Sequence, residues 1–98
     1  MMGTPLYMPP EAMLGKFQYA GDVFSFGVLA FELLTGEYPF EDVPIRVVLT
    51  GSALRPRPQV LARVREMVPA IAELLARTLE QRPEQRPSVD ELVAAFAR

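Results

Sequence analysis

The chain has 98 residues, of which 50% are hydrophobic, and a formal net charge of −2. This length allows one small domain, and the composition is typical of a globular chain rather than a disordered one. The sequence contains no cysteine and no histidine, which excludes disulfides, thiolate metal sites and the commonest general base. There is no secretory leader and no apolar run long enough to cross a bilayer, so we expect a cytoplasmic protein without a membrane segment.

The first predicted element is a short helix at residues 9–14, with a proline in its first turn and Gly15 after its end. Residues 15–21 contain two glycines and are predicted to form a loop. A second helix is predicted over about residues 22–35. The carboxylate of Asp22 can cap its free backbone N–H groups, and Gly36 suits the left-handed conformation that ends many helices.

This second helix has no polar face, because apolar residues occupy positions 23, 24, 26, 28–31, 33 and 34. A helix that is apolar all round, yet too short for a membrane, must be buried by other protein on every side. The residues that follow it are too few to enclose it. We therefore expect a central buried helix whose covering is incomplete within this chain.

Four further helical segments follow. Residues 44–49 favour a short helix, and apolar spacing at 59–68 favours one or two helical turns. Pro69 is predicted to open a clearer helix with Ile71, Leu74, Leu75 and Leu79 on one face. Residues 88–91 form the pattern of a capping box between Ser88 and Glu91, which launches a last helix with Leu92, Val93 and Phe96 facing inward. No alternating strand pattern occurs, so the predicted fold is all-α.

Charge is distributed unevenly along the chain. Residues 1–45 carry one lysine against six acidic residues, whereas residues 46–98 carry nine arginines against six. The stretch 46–65 holds five arginines and no acid. The loose spacing of these arginines and the lack of interleaved aromatics favour an ordinary solvated face over a nucleic-acid surface. We expect no nucleic-acid partner, although a nucleic-acid binder remains a third, weaker hypothesis.

Three stretches together resemble protein kinases. Residues 3–11 (GTPLYMPPE) resemble the end of the activation segment, where the family has G-T-x-x-Y-x-A-P-E. Residues 22–27 (DVFSFG), followed by ELLTG at 32–36 and by Pro39-Phe40, resemble the central helix, and residues 85–88 (QRPS) resemble the motif before the last helix. Their order and separations also agree with the family. The chain departs from the pattern at Pro9, where the family has alanine, and at Phe24, where it often has tryptophan.

The resemblance implies the helical C-terminal lobe of a eukaryotic-type serine/threonine kinase domain. Residues 1–98 would form a partial domain, with the N-terminal lobe, catalytic loop and metal-binding loop absent. It also implies a buried ion pair between Glu11 and Arg86. Asp22 in the family holds the catalytic loop, but in this chain its expected role is that of a helix cap.

Two further residues are assigned through the resemblance. Thr4 corresponds to the threonine beside the catalytic aspartate, near the peptide substrate, and favours serine/threonine specificity in the intact domain. Glu32 matches a position that receives a basic substrate residue in some members. Structural pairing of Glu32 with an arginine is the alternative that we favour.

The residues needed for phosphoryl transfer do not occur in this sequence. None of the six glycines forms a G-x-G-x-x-G, and no H-R-D or D-F-G is present. The only lysine, Lys16, falls in a predicted loop. No catalytic, cofactor-binding or metal-binding residue is assigned. The chain alone is expected neither to bind ATP nor to catalyse, whereas an intact parent domain would use ATP and Mg²⁺ to phosphorylate serine or threonine.

Two main hypotheses follow, from different functional classes. In the first, the chain is a fragment of a kinase, and its partner is the upstream kinase core. In the second, it is a non-catalytic helical interaction module, derived from a kinase lobe, whose partner protein covers the exposed apolar surface. A stand-alone module should carry polar residues where the apolar surface once met the catalytic lobe. The helix at 22–35 shows no such replacement, which favours the fragment.

Overall fold

A computed structural model describes residues 5–97 of the chain. These residues form six α-helices and one 3₁₀ turn, and their only strand-like pairing is an isolated bridge between Phe40 and Pro56. The all-α prediction is therefore confirmed. The helices are α1 (Pro10–Met13), α2 (Tyr19–Thr35), α3 (Pro44–Thr50), α4 (Pro58–Met67), α5 (Ala72–Thr78) and α6 (Val89–Phe96), with the 3₁₀ turn at Pro83–Gln85.

Helix α2 begins three residues earlier than the sequence predicted. Gln18, in an extended conformation, precedes its first residue, and no side chain caps this end. Asp22 lies inside the first turn, so the predicted capping role of Asp22 is wrong. Gly21 lies in the same turn, and its N–H donates to the Gln18 carbonyl at 2.9 Å. The predicted loop at 15–21 is therefore confined to its first residues.

The other end of α2 agrees with the prediction. Gly36 has φ 76° and ψ 7°, which is the left-handed conformation, and its N–H donates to the Glu32 carbonyl at 2.7 Å. Glycine adopts this conformation without the steric cost that a Cβ atom brings. The helix therefore ends where a residue without a side chain allows the backbone to turn.

One side of α2 packs into the main hydrophobic core. Helices α4 and α5 cover this side, and aromatic stacking extends the core, because the Phe24 and Phe40 rings lie 5.6 Å apart at 9°. The buried core residues are Phe24, Val28, Phe31, Phe40, Val47, Leu54, Val60, Val64, Ala72, Leu75 and Leu79.

Close approach between α2 and α5 depends on Gly27. A Cβ atom built on Gly27 would lie 1.8 Å from the Thr78 hydroxyl oxygen and 2.6 Å from the Thr78 Cβ. No side chain fits there, so the two helices can pack closely only with glycine at position 27. Thr78 is fully buried, and its hydroxyl donates to the Leu75 carbonyl at 2.5 Å.

The opposite side of α2 is open. Phe26, Leu29 and Leu33 are 41%, 47% and 78% exposed, and they follow one another at the three- and four-residue spacing of a single helix face. These three residues are called the open face below. The expectation that later residues cannot enclose the central helix is confirmed.

The C-terminal helices differ from the prediction in two respects. Helix α5 begins at Ala72 rather than at Pro69, because Val68 leaves the helical conformation and the Ile71 N–H closes a turn onto the Val68 carbonyl at 3.1 Å. The capping box of α6 is present, but α6 buries only Leu92. Val93 and Phe96, predicted to face inward, are 61% and 48% exposed, because the cleft that they line with α2 is open to solvent.

Candidate functional site

Glu11 and Arg86, which lie 75 residues apart in the chain, form a buried two-point contact. Arg86 Nη1 lies 2.7 Å from Glu11 Oε2, and Nη2 lies 2.9 Å from Oε1. The planar guanidinium matches the two carboxylate oxygens, which gives both strength and fixed orientation. The pair joins α1 to the segment immediately before α6.

Further contacts satisfy the remaining donors of Arg86. It donates to the carbonyls of Ala20 at 2.9 Å, Glu80 at 2.8 Å and Gln81 at 3.2 Å. Its guanidinium carbon lies 4.9 Å from the centroid of the Phe24 ring, within the range of a cation–π contact. Because every N–H donor of Arg86 has a partner, these contacts offset the cost of removing its charge from water. Arg86 therefore connects its own segment to α1, to α2 and to the residues that follow α5.

A second cluster fixes the segment that precedes α1. The Tyr7 hydroxyl donates to Glu32 of α2, and the Tyr38 hydroxyl donates to the Leu6 carbonyl at 2.7 Å. The Ser25 hydroxyl donates to the Tyr7 carbonyl, also at 2.7 Å. Three side chains from α2 and the loop after it thus hold residues 6 and 7.

The carboxylate of Glu32 influences the pKa values of both tyrosines in this cluster. The Glu32 carboxylate accepts the Tyr7 proton in a hydrogen bond, which raises the pKa of the Tyr7 hydroxyl. Burial raises the pKa of Tyr38 strongly, and the nearby charge of Glu32 adds to that effect. Both tyrosines therefore stay protonated and keep donating at neutral pH.

The structure corrects the expected partner of Glu32. Pairing with an arginine was predicted, yet within residues 5–97 no arginine lies within ion-pair distance of Glu32. Its partner is Tyr7, 25 residues away. Tyr7 belongs to the same motif as Glu11, but no pattern in the sequence predicted its contact with Glu32. Nothing in the local pattern around Tyr38 or Ser25 pointed to their contacts.

Asp22 and Thr4 stand apart from these clusters. Asp22 is exposed and makes no side-chain hydrogen bond or ion pair with the part of the chain that the structure describes. It lies between two grooves, one against Tyr7 and Phe17 and the other against Val89 and Phe96. Thr4 lies outside the described residues.

The arginine-rich stretch is largely neutralised by acidic side chains. Arg63 lies 2.8 Å from Glu37, and Arg57 lies 3.9 Å from the same carboxylate. Arg46 pairs with Asp42, and Arg65 pairs with Glu73, both at 3.3 Å. These exposed pairs stabilise the fold little. They do reduce the positive potential that this face would present to a polyanion.

The part of the chain that the structure describes lacks two features, a metal-ligand cluster and a glycine-rich loop. Across residues 5–97 there is no cluster of three or more acidic, histidine or cysteine side chains that could hold a metal ion. The glycines occur singly rather than in a phosphate-binding loop. In the same range, no helix combines the length and hydropathy that crossing a membrane requires.

The open face continues onto α6. The Phe26 and Phe96 rings meet edge to face, with centroids 5.9 Å apart. Val89, Val93 and Phe96 line the α6 side of the cleft between the two helices. The central helix and the last helix thus share one apolar surface that no described residue covers.

Comparison with known proteins agrees with these features. The profile of the family described as protein tyrosine and serine/threonine kinase matches residues 3–96. The chain is 36% identical over 87 residues to serine/threonine-protein kinase Pkn1 of Myxococcus xanthus, covering 88% of this chain and 13% of that protein. It is 35% identical over 94 residues to PksC of Streptomyces coelicolor, covering 92% of this chain and 16% of that kinase.

A eukaryotic relative gives the same result. The chain is 33% identical over 99 aligned positions to serine/threonine-protein kinase shk1/pak1 of Schizosaccharomyces pombe, covering 95% of this chain and 14% of that protein. The chain therefore spans about a seventh of the length of these curated relatives.

Proposed function

Because the chain belongs to the protein tyrosine and serine/threonine kinase family and is a fragment of a serine/threonine kinase domain, we propose that it forms the helical scaffold on which the catalytic residues of that domain fold. The intact domain transfers the γ-phosphate of ATP, with Mg²⁺, to serine or threonine of a protein substrate. The 98 residues alone supply neither the phosphate cradle nor the residue that orients the accepting hydroxyl.

The observation that carries this proposal is the open face of α2. The helix is closed by a complete core on one side, yet it presents Phe26, Leu29 and Leu33 to solvent on the other. Large apolar residues aligned on one helix face are typical of a surface that another element covers. The partner that we propose for this face, and for the cleft beside it, is the upstream part of the kinase domain.

The residue roles implied by the resemblance fit this scaffold. The Asp22 carboxylate has no hydrogen-bond or ion-pair partner among residues 5–97 and lines the same cleft as Phe26 of the open face, where it can accept backbone N–H groups from the catalytic loop of the intact domain. We propose Thr4 as a residue that lies beside the catalytic aspartate of the intact domain and helps to position the peptide substrate. Residues 6 and 7, which Glu32, Ser25 and Tyr38 hold, come two and three positions after Thr4 in the sequence.

Glu11, Arg86 and Glu32 have supporting roles in the same proposal. The Glu11–Arg86 pair ties the end of the substrate segment to the base of the lobe. Glu32 is half-buried and faces no arginine among residues 5–97, so a basic substrate side chain could approach its carboxylate. Such an approach would compete with the hydroxyl of Tyr7.

A non-catalytic interaction module is the alternative, and one observation favours it. The core on the α4 and α5 side of α2 is complete, with eleven buried residues in one cluster. A chain with such a core could fold without a catalytic lobe. In that case the open face would bind a partner protein rather than the rest of a kinase domain.

The function is tested first on the protein as the native locus expresses it. We expect an intact mass well above 10.9 kDa, and transfer of labelled phosphate from ATP and Mg²⁺ to a serine/threonine substrate protein. Asp22→Asn in that protein should lower the transfer rate at least tenfold without loss of helicity, because the Asp22 carboxylate makes no hydrogen bond or ion pair within residues 5–97. The matched control is Asp90→Asn, an exposed carboxylate on α6, which should leave the rate unchanged.

Three results would contradict the proposal. The first is phosphate transfer by the purified 98-residue chain, and the second is an unchanged rate in the Asp22→Asn variant. A native mass of 10.9 kDa together with a stably folded chain would instead favour the interaction module.

A further inference from the structure

We draw no further inference here: the strongest candidate, the apolar cleft between helices α2 and α6 lined by Val23, Phe26, Leu92 and Phe96, belongs to the surface already assigned to the rest of the kinase domain, and nothing in the structure shows what else would cover it.

Discussion

Arg86 links segments that lie up to 75 residues apart. It holds Glu11 through two short hydrogen bonds, reaches the Ala20 carbonyl at the start of α2, and lies over the Phe24 ring. Phe24 offers a smaller aromatic surface than the tryptophan that the family often has, and the guanidinium still lies within cation–π distance of it. One side chain therefore couples α1, α2 and the segment before α6.

The Glu11–Arg86 pair gives the first prediction. Glu11→Ala and Arg86→Ala should each lower the free energy of unfolding by roughly 3–5 kcal/mol, because each leaves an uncompensated buried charge. The double variant should lose much less than the sum, since the second change removes that unpaired charge. The measurement is urea unfolding. It is made on the 98-residue chain if that chain unfolds cooperatively, and otherwise on the longer protein that the native locus expresses.

The matched control is the exposed pair of Arg46 in α3 and Asp42, which lies four residues earlier and precedes that helix. Alanine at either position should change the unfolding free energy by less than about 1 kcal/mol. Small and additive effects at Glu11 and Arg86, similar to those of the control, would show that the buried contact does not join the two segments.

At the scale of the elements, α6 is held by local and exposed interactions. The Ser88 hydroxyl accepts from the Glu91 N–H at 3.0 Å, and the Glu91 carboxylate accepts from the Ser88 N–H at 3.0 Å. The second Glu91 oxygen lies 3.3 Å from Arg77 of α5. Glu91 thus both caps α6 and tethers it to α5, while Leu92 alone is buried.

This arrangement predicts a dependence of α6 on pH. The Ser88 N–H, followed by Arg77, lowers the pKa of Glu91 below its ordinary value of 4.5. A carboxyl whose folded-state pKa is lowered contributes stability above its unfolded-state value and loses it as the pH falls through the folded-state value. We expect amide exchange within residues 89–96, corrected for the intrinsic rate, to accelerate below pH 4.5.

Glu91→Gln provides the control for the pH experiment. The introduced amide oxygen can still accept from the Ser88 N–H, but it does not titrate. At neutral pH, exchange in α6 should therefore be faster in the Glu91→Gln variant than in the unchanged chain. The corrected exchange rate of the variant should not rise further as the pH falls below 4.5. An acid-induced loss of protection that is as large in Glu91→Gln as in the unchanged chain would exclude Glu91 as its cause.

The open face of α2 gives a prediction at the same scale. In the 98-residue chain, Leu33→Gln should lower the binding of a hydrophobic dye and leave helicity unchanged, because Leu33 is 78% exposed. In the longer kinase that we propose, the same change should lower stability by about 1.5–3 kcal/mol, the value of burying a leucine side chain. The measurements are dye fluorescence and circular dichroism for the chain, and urea unfolding for the kinase.

The control for this test is Leu75→Gln in the main core, which is 1% exposed. It should reduce helicity and solubility in both proteins. Equal tolerance of Leu33→Gln in the chain and in the longer kinase would show that the kinase does not bury this face.

Contacts between residues close together in the sequence were predicted better than contacts between distant residues. The capping box at Ser88 and Glu91 and the end of α2 at Gly36 were predictable, because each rests on residues within a few positions. The start of α2 was misplaced, since Asp22 suits a first turn as well as a cap. The partner of Glu32 was missed because Tyr7 reaches it from another segment, through folding of the whole lobe.

At the scale of the whole molecule, the two sides of the central helix α2 have different surroundings. The core side is closed by α4 and α5, with Gly27 allowing close contact at Thr78, whereas the open face and the α6 cleft are uncovered. A domain of this size has little stability to spare, because a small chain buries a smaller fraction of its surface. Exposing a helix face and a neighbouring cleft reduces that fraction further.

The most direct test of this account is thermal unfolding of the isolated 98-residue chain, followed by circular dichroism and by fluorescence of a hydrophobic dye. We predict a helical spectrum, dye binding at low temperature, and a gradual loss of helicity without a sharp transition, as for a compact state that lacks fixed packing. A cooperative transition with no dye binding would contradict the account and would support a self-sufficient interaction module.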